Sequence, residues 1–373
     1  MKWIASAQNA GLNLMKKPDC AWNLTDLYSV PQNGIKVMST FACGGGSSMG
    51  YKLAGCEVIA ANDIDPEMAW HYKKNLNPKI FYLCPIKELI TGDIDQSLYD
   101  LDILDGSPPC STFSIAGNRE KDWGKNKNFR EGQATQVLSD LFFDYLDLVE
   151  RLKPKVAIAE NVKGMILGNA KGYTKLIMDR FKDIGYRPQL FLVNSADCGV
   201  PQKRQRIFFV AIRDDIKKDK LKLFISNKKI TAANACADIQ DLTEAEKKDT
   251  SPTLTHTRHW YFTKPGQNYA AANKLRNGKP SSFNYFRIDG STQSNTITGV
   301  EKLPAHWSVC RTLTFREWKR LGGFPDDYNA KTDKIGKYMV GMSVPPRMTE
   351  QVARAVIDQW LSPVASDKLS LTG

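Results

Sequence analysis

The chain lacks the features that mark several large protein classes. No apolar run approaches the ~18 residues of a membrane-spanning helix, and residues 1–33 contain no apolar segment typical of a secretory signal. Only four histidines occur, and none of the eight cysteines forms a C-x-x-C pair. We therefore expect a protein of the cytoplasm, with neither a metal site nor a disulfide framework.

The composition is that of a folded globular protein. Hydrophobic residues make up 42% of the 373 residues and charged residues 25%, well away from the pattern of disordered chains. The length fits two to three domains, and it fits one large α/β domain with an insertion equally well.

Positive charge is in excess and partly concentrated. Lys and Arg number 52 against 40 Asp and Glu, for a net charge of +12. Between residues 250 and 310, aromatic residues alternate with seven basic ones: Arg258, Lys264, Lys274, Arg276, Lys279, Arg287 and Lys302. This mixture is typical of surfaces that bind nucleic acid, although the overall charge alone is equally compatible with a basic enzyme.

The hydrophobic pattern predicts an α/β fold with a doubly wound parallel sheet. Short apolar runs predict strands at 36–41, 57–61, 79–83, 101–104, 156–159, 189–193 and 206–212. Helical periodicity between them predicts helices at 47–54, 66–75, 133–152 and 173–183. A ligand should bind at the carboxyl ends of the strands.

The alternation of predicted strands and helices ends after the last predicted strand. We predict a catalytic and cofactor-binding domain over 34–213, an inserted second domain over 214–325, and a C-terminal segment over 326–362 that returns to the first domain. Residues 363–373 are interpreted as a tail, and no role is predicted for the extension 1–33.

Two features indicate an adenosine-containing cofactor. The turn at 41–50, F-A-C-G-G-G-S-S-M-G, joins the first strand to the first helix, and its glycines allow a ligand to approach a helix N-terminus. Asp63 follows the second strand, where a carboxylate can accept hydrogen bonds from a ribose.

Three further elements place reactive side chains at strand ends. Cys110 follows two prolines in the segment 106–114, so its backbone position is restricted. Glu160 comes directly after four apolar strand residues, where an acid is costly unless it has partners or a task. In an extended chain Gln202, Arg204 and Arg206 share one face and offer many donors.

Together these elements resemble the DNA (cytosine-5)-methyltransferase family of the bacterial or phage type, from residue 36 to about 360. The P-P-C, E-N-V and Q-x-R-x-R elements occur in the family's order, followed by R-x-L-T-x-R-E at 311–317, G-F-P-D at 323–326 and the turn at 341–346. The resemblance implies a Rossmann-like S-adenosylmethionine-dependent methyltransferase domain, with a smaller target-recognition domain inserted into it.

The resemblance also implies catalytic roles. Cys110 would attack C6 of a cytosine flipped out of the duplex, and Glu160 would bind and protonate N3. The methyl group of S-adenosylmethionine would then pass to C5. Arg204 is expected to contact the base carbonyl, with Arg206 and Gln202 supporting the site.

Cofactor residues carried over by the resemblance are Phe41, Gly45, Gly46, Asp63, Ile64, Ile86, Pro109, Leu141, Ser343 and Val344. The chain departs from the family pattern at three positions. Cys43 replaces a glycine, Pro85 stands where an Asp commonly contacts the adenine amino group, and Met342 replaces an Asn. All three departures bear on cofactor binding, whereas the catalytic set matches the family.

The expected partner is double-stranded DNA. Arg119 and Lys121 lie in a stretch, 112–132, that would close over the duplex, and the inserted domain would supply Arg258, Arg287, Thr296 and Ile297. A monomer encoded by a prokaryote or a phage, with a cognate restriction endonuclease, fits this interpretation. The alternatives are an RNA (tRNA) cytosine-5 methyltransferase and a catalytically silent DNA-binding relative; the basic insertion and the matching catalytic set favour the DNA enzyme.

Overall fold

The computed structural model describes residues 17–109, 126–127, 136–137, 141–168, 170–225, 228–279, 285–300 and 304–362. Seven strands within these ranges form one sheet, and four two-residue strands form two separate pairs. In chain order the strands are β1 (Lys36–Thr40), β2 (Glu57–Asp63), β3 (Ile80–Leu83), β4 (Ile103–Gly106), β5 (Asn126–Lys127), β6 (Gln136–Val137), β7 (Val156–Val162), β8 (Tyr186–Asn194), β9 (Gln205–Arg213), β10 (Phe286–Arg287) and β11 (Pro304–Ala305).

The main sheet has the order β3-β2-β1-β4-β7-β9-β8. Neighbours from β3 to β7 are parallel, whereas β9 runs antiparallel to both β7 and β8. The predicted α/β fold is confirmed, but the expectation of a wholly parallel sheet is wrong at β9. Only ten residues separate β8 from β9, fewer than a crossover helix between parallel strands needs.

Twelve α-helices occur in the described residues. They are α1 (Gly46–Leu53), α2 (Pro66–Leu76), α3 (Ile86–Thr91), α4 (Leu141–Leu152), α5 (Ala170–Asp183), α6 (Ala232–Ala235), α7 (Glu244–Thr250), α8 (Leu254–Phe262), α9 (Tyr269–Asn277), α10 (Phe315–Gly322), α11 (Asp333–Met342) and α12 (Pro346–Val356). The predicted helix at 133–152 is wrong at residues 136–137, which pair with β5 because tertiary context overrides the local pattern. None of the described helices has the length and apolar character to span a bilayer.

Two apolar cores cover the two faces of the main sheet. Helices α3, α4 and α5 bury one set of strand residues, which includes Leu104 and Ala157. Helices α1 and α12 bury the alternate set, which includes Ile103 and Ile158. Because side chains alternate along a strand, polar residues that continue the second set point towards the side of α1 and α12.

A third core lies beside the main sheet. It combines residues of α2, α6, α10 and α11 with Trp22 and Leu27 of the N-terminal extension. The described part of this extension therefore packs into the molecule, which the sequence did not predict. The predicted domain boundaries stay a prediction.

Candidate active site

The turn that leads to Cys110 is held against the neighbouring strand. After β4 the chain continues through Ser107 to Pro109, and the Asn161 side-chain amide on β7 donates a buried hydrogen bond of 2.9 Å to the Pro108 carbonyl. Cys110 itself lies outside the described residues. The structure thus places the start of its segment at the carboxyl ends of β4 and β7, where parallel α/β sheets bind ligands.

Glu160 lies at the same edge of the sheet and forms an ion pair. Its side chain is buried on β7, and Oε1 lies 2.9 Å from Nε of Arg206 on β9. In the antiparallel register Phe208 lies opposite Glu160, so Arg206 occupies the same face two residues away. Burial lowers the pKa of Arg206, and the charge of Glu160 opposes this shift. The pair holds the carboxylate in one orientation beside the turn.

The Arg204 guanidinium is buried and, among the described residues, its hydrogen bonds go only to backbone oxygens. Nη1 donates to Ile297 O (3.1 Å) and Gly341 O (2.9 Å), and Nη2 donates to Met342 O (3.4 Å). Its buried Nε has no hydrogen-bond partner in the described part of the chain. Burial, followed by the charge of Arg206, lowers the pKa of Arg204 well below its usual value. Arg204 therefore joins β9 to two distant segments.

Gln202 makes a similar connection just before β9. Its side-chain amide donates to Leu321 O (3.1 Å) and accepts from Ile297 N (3.2 Å). The sequence predicts Gln202, Arg204 and Arg206 on one face; of these three, Arg206 forms the ion pair with Glu160. The role predicted for Arg204 at the base carbonyl stays a prediction.

The predicted cofactor loop meets Asp63 as expected. The Cys43 backbone N–H donates to one carboxylate oxygen of Asp63 (2.7 Å), and the Asp65 N–H donates to the other (2.9 Å). Phe41 and Cys43 adopt left-handed backbone conformations, with φ of 52° and 47°. Burial raises the pKa of Asp63 to about 6, although these backbone hydrogen bonds lower it.

The C-terminal turn closes on the same loop. A side chain at Gly46 would collide with the Val344 carbonyl oxygen, so the two backbones can approach only because residue 46 is glycine. The Ser343 hydroxyl lies 3.6 Å from Sγ of Cys43. The structure thus brings the loop at 41–46, which includes Gly45 at the α1 N-cap, next to Ser343 and Val344 of the C-terminal turn.

The remaining predicted cofactor residues border this loop. Ile86 and Leu141 belong to the core against which Phe41 packs, and Ile64 follows Asp63 at the end of β2. Pro109 belongs to the turn before Cys110, and Pro85 is the N-cap of α3 and has no side-chain donor.

The site has the donor and acceptor groups that S-adenosylmethionine needs. Each oxygen of Asp63 accepts one backbone N–H, which leaves lone pairs for ribose hydroxyls. The N-terminus of α1 offers backbone N–H groups that attract a carboxylate. Phe41, at the start of the loop, packs against a core that includes the buried apolar residues Ile86 and Leu141.

The residues predicted to contact DNA have different environments. Arg258 is exposed on α8, and Thr296 is half-buried with its hydroxyl donating to Lys203 O (2.7 Å). Arg287 stacks 3.6 Å above the Trp260 ring and donates to Trp307 O, and Ile297 is fully buried. Arg119 and Lys121 lie outside the described residues. All of these DNA contacts stay predictions.

Two residues of the site were missed in the sequence. Asn161 was quoted within E-N-V without a role, and Asp105 was not considered although it follows apolar strand residues as Glu160 does. Asp105 is buried and accepts hydrogen bonds from Ser39 and Tyr51. The rule that selected Glu160, an acid at the end of an apolar strand, would also have selected Asp105.

Comparison with known proteins agrees with this geometry. The family model described as C-5 cytosine-specific DNA methylase matches residues 35–358. The chain is 30% identical to the Type II methyltransferase M.MthTI of Methanothermobacter thermautotrophicus, over 86% of this chain and 97% of that protein. It is 26% identical to the Type II methyltransferase M.NgoPII of Neisseria gonorrhoeae, over 87% and 96%.

Solved structures share the fold. A Spodoptera frugiperda DNMT2 mutant superposes with a TM-score of 0.61 at 16% identity, over 87% of this chain and all of that one. At this identity the likeness concerns the fold. The family match, in contrast, spans nearly the whole main sheet and both ends of the site described above. The chain belongs to the C-5 cytosine-specific DNA methylase family and is a DNA (cytosine-5)-methyltransferase.

Proposed function

We propose that the edge of the sheet formed by β4 and β7 carries the reaction, with Cys110 as nucleophile and Glu160 as acid. The observation that carries this proposal is the convergence of two contacts at one place: the Asn161–Pro108 hydrogen bond and the Glu160–Arg206 ion pair. The first restricts the segment before Cys110, and the second orients an acid beside it.

The proposed chemistry overcomes the weak nucleophilicity of cytosine C5. A thiolate of Cys110 adds to C6, while Glu160 donates a proton to N3 and thereby neutralises the negative charge that develops on the ring. C5 can then accept a methyl group, and loss of the C5 proton expels the thiolate. The target base reaches Cys110 only after it leaves the duplex.

We propose roles for Arg204 and Arg206 that differ from those expected from the sequence. Arg206 contacts Glu160, so we assign to it the orientation of the acid and a donor for the base carbonyl. Arg204 donates to three backbone carbonyls of distant segments. Its proposed task is to hold the inserted segment and the C-terminal turn in place around the site.

We propose S-adenosylmethionine as the cofactor, which supplies the methyl group as a sulfonium when bound. Asp63 would bind the ribose hydroxyls, and the N-terminus of α1 would bind the carboxylate. The adenine would lie against Ile86, with the backbone around Pro85 replacing the side-chain contact that an Asp provides in the family pattern. Ser343 and Val344 would cover the loop from the C-terminal side.

The outer face of α8 and α9 is the proposed DNA-binding surface. Residues 251–288 contain no Asp or Glu and six basic residues: Arg258, Lys264, Lys274, Arg276, Lys279 and Arg287. Tyr261 is 71% exposed on this face, and the Arg276 guanidinium lies 4.2 Å from the centre of the Phe262 ring. Positive charge next to exposed rings is suited to phosphates and bases.

The opposite face of α8 fixes the helix. His259 packs against Tyr269 and Tyr285, and the Trp260 indole donates to His306 O (2.9 Å). Arg287 stacks on Trp260 from the side of the two-residue strand β10. A helix anchored in this way presents its outer residues without a large loss of conformational entropy on binding.

The names of the relatives suggest a biological setting. Since the curated relatives are Type II methyltransferases, we propose that this enzyme works in the cytoplasm on cellular DNA, paired with a restriction endonuclease of the same target sequence. Its methylation would then protect those sites from cleavage.

The test is methyl transfer to unmethylated genomic DNA, read at base resolution by conversion sequencing. We expect protected cytosines in one short sequence context, and none with Cys110→Ala, which should retain DNA binding. Turnover by Cys110→Ala would contradict the proposed nucleophile. Transfer to tRNA but not to DNA in the same assay would establish the RNA alternative instead.

A further inference from the structure

Asp105 is a buried acid that the proposed chemistry does not use. It is 1% exposed, and its carboxylate accepts hydrogen bonds from the Ser39 hydroxyl (2.7 Å to Oδ2) and the Tyr51 hydroxyl (3.1 Å to Oδ1). Both donors are neutral. Among the described residues no Lys, Arg or His forms an ion pair with it. A buried carboxylate without a counter-charge is costly for the folded protein.

The position of Asp105 connects it to the cofactor half of the site. Ser39 lies on β1, which leads directly into the loop at 41–46, and Tyr51 lies on α1, which begins from that loop. Asp105 lies on β4, just before the turn that leads to Cys110. The Thr40 hydroxyl donates a hydrogen bond to the backbone carbonyl of Asp105 (3.0 Å). The three elements that surround the proposed cofactor therefore meet at this one carboxylate.

We propose that Asp105 supplies the counter-charge for the sulfonium of S-adenosylmethionine, and thereby makes the enzyme prefer this cofactor to its demethylated product. The inference rests on the cofactor assignment made above. S-adenosylmethionine and S-adenosylhomocysteine share every group except the methyl, but only the first carries a positive sulfur. A fixed negative charge in a poorly solvated interior distinguishes the two through charge alone. Loss of the methyl group removes the attraction and favours product release.

The preference should depend on pH near neutrality. Burial raises the pKa of Asp105 to about 7, the hydroxyls of Ser39 and Tyr51 lower it, and the charge of Glu160 on β7 raises it. From α4, Tyr145 also faces this group, with its own pKa raised well above the usual value by burial. A bound cation favours the ionised carboxylate, so S-adenosylmethionine binding should release a proton and strengthen as the pH rises through 7.

Asp63 is a second acid in the proposed site, but its titration does not change the ratio of the two dissociation constants. Asp63 has a pKa raised to about 6 by burial, and it would contact the ribose that both ligands share. Its titration therefore changes both affinities alike. The ratio of the two dissociation constants isolates Asp105.

The experiment is calorimetric titration of the full-length protein with each ligand at pH 6 and pH 8, in two buffers of different ionisation enthalpy. We expect the preference for S-adenosylmethionine over S-adenosylhomocysteine to increase about fivefold from pH 6 to pH 8, the change that follows when a bound cation lowers a pKa of about 7 by one unit. Binding of S-adenosylmethionine should release more protons than binding of S-adenosylhomocysteine, because any proton released from Asp63 is common to both ligands.

Two variants give the matched comparison. Asp105→Asn should abolish the pH dependence of the ratio and the difference in proton release between the two ligands, and thermal unfolding at pH 8 checks that the variant is folded. Tyr51→Phe removes one hydrogen-bond donor but keeps the acid, so the pH dependence should remain with its midpoint moved upward.

Three outcomes would overturn the inference. A wild-type ratio that is equal at pH 6 and pH 8 shows that Asp105 does not sense the sulfonium. A pH-dependent ratio that survives in Asp105→Asn assigns the effect to another group. Failure of both ligands to bind the folded wild-type protein removes the cofactor assignment itself, and the inference falls with it.

Discussion

At the scale of single residues, the active site depends on groups that are shielded from solvent. The Glu160–Arg206 pair has side-chain exposures of 9% and 16%, so neither charge is well hydrated. Removal of one partner from a buried ion pair leaves the other charge without compensation, whereas removal of both can be nearly neutral.

Arg206→Met should therefore lower the free energy of unfolding by about 3 kcal/mol, because Glu160 stays buried without its cation. Urea unfolding at pH 7 measures the change. The double variant Glu160→Gln with Arg206→Met serves as the control and should recover most of the loss. Equal destabilisation in the single and double variants would contradict a coupled pair.

Asn161→Ala should slow methyl transfer about 100-fold while leaving DNA affinity unchanged. The substitution removes the donor to Pro108 O and lets the segment before Cys110 shift, and displacements of ~1 Å at a reacting group have effects of this size. Single-turnover kinetics measure the step. Asn234→Ala is the control, since Asn234 is exposed on α6, outside the proposed catalytic edge and the proposed DNA-binding surface. An unchanged rate in Asn161→Ala would remove the positioning role.

Glu317 should make the protein sensitive to acid. Burial alone would raise its pKa, but hydrogen bonds from Arg311 (both 2.7 Å) and His306 lower the pKa to about 2. Because the folded-state value lies below the unfolded one, Glu317 stabilises the fold above about pH 4.5 and loses this effect as the pH falls towards 2. The stabilisation amounts to about 3 kcal/mol.

Unfolding free energies measured from pH 6 down to pH 3 test this. In Arg311→Met the low pKa should be lost, and the slope of stability against pH in this range should flatten. A wild-type slope identical to that of the variant would show that other carboxylates govern the acid transition.

At the scale of elements, α8 and α9 together present the exposed positive surface of the insertion. Loss of phosphate contacts weakens binding to any DNA sequence and reduces the dependence of affinity on salt. Arg258→Gln with Arg276→Gln should therefore weaken DNA binding and reduce the slope of log K against log salt by about two.

The control replaces two exposed lysines of α5, Lys171 and Lys175, by Gln, because this variant loses the same charge on another helix. Fluorescence anisotropy at several salt concentrations gives both slopes. If the two variants lose affinity equally, only net charge matters and α8 and α9 are not the DNA-binding surface.

The strands of the main sheet show how far the sequence predicts the structure. All seven strands of the main sheet were predicted, but β2 and β7 extend two and three residues further than the apolar runs that indicated them. The additional residues include Asp63, Glu160 and Asn161, which remain paired in the sheet while they supply the polar groups of the site. The apolar runs end where the polar residues of the candidate site begin, so a prediction from hydrophobicity ends β2 and β7 too early.

The sequence could not separate the tasks of Arg204 and Arg206. Alternation puts both on one face of an extended chain, and either could meet Glu160. Which arginine meets Glu160 depends on the antiparallel register of β9 against β7 and on the backbone carbonyls of residues 297, 341 and 342, which bind Arg204. Contacts between segments so far apart leave no local pattern in the sequence.

At the scale of the whole molecule, residues near the N-terminus help to build a core that combines α2 with α10 and α11 of the C-terminal part. The Trp22 indole is buried and donates to Gly323 O (3.1 Å), and the backbone N–H of Leu24 donates to Asp327 (2.7 Å). Asp326 N donates in return to Trp22 O. The start of the described chain is thus fixed to the loop that follows α10.

Trp22→Ala should lower the free energy of unfolding by about 3–5 kcal/mol, the usual range for removing a buried tryptophan. Trp22→Phe keeps most of the packing and loses the hydrogen bond, and should cost about 1 kcal/mol. Chemical denaturation of both variants measures the difference. A change below 1 kcal/mol in Trp22→Ala would mean that the extension is not part of the core.

The hydrogen bonds that join residues 202–204 to the inserted segment use mainly backbone atoms on the insertion side, and the Thr296 hydroxyl adds one side-chain contact by donating to Lys203 O (2.7 Å). Gln202 and Arg204 contact N or O atoms of residues 297 and 321, and Lys203 N donates to Ser294 O (2.8 Å). Every amino acid except proline offers the same N–H and C=O groups. Most side chains of the insertion can therefore diverge without loss of these backbone contacts, so an enzyme of this design can acquire a new DNA target sequence while its catalytic centre stays intact.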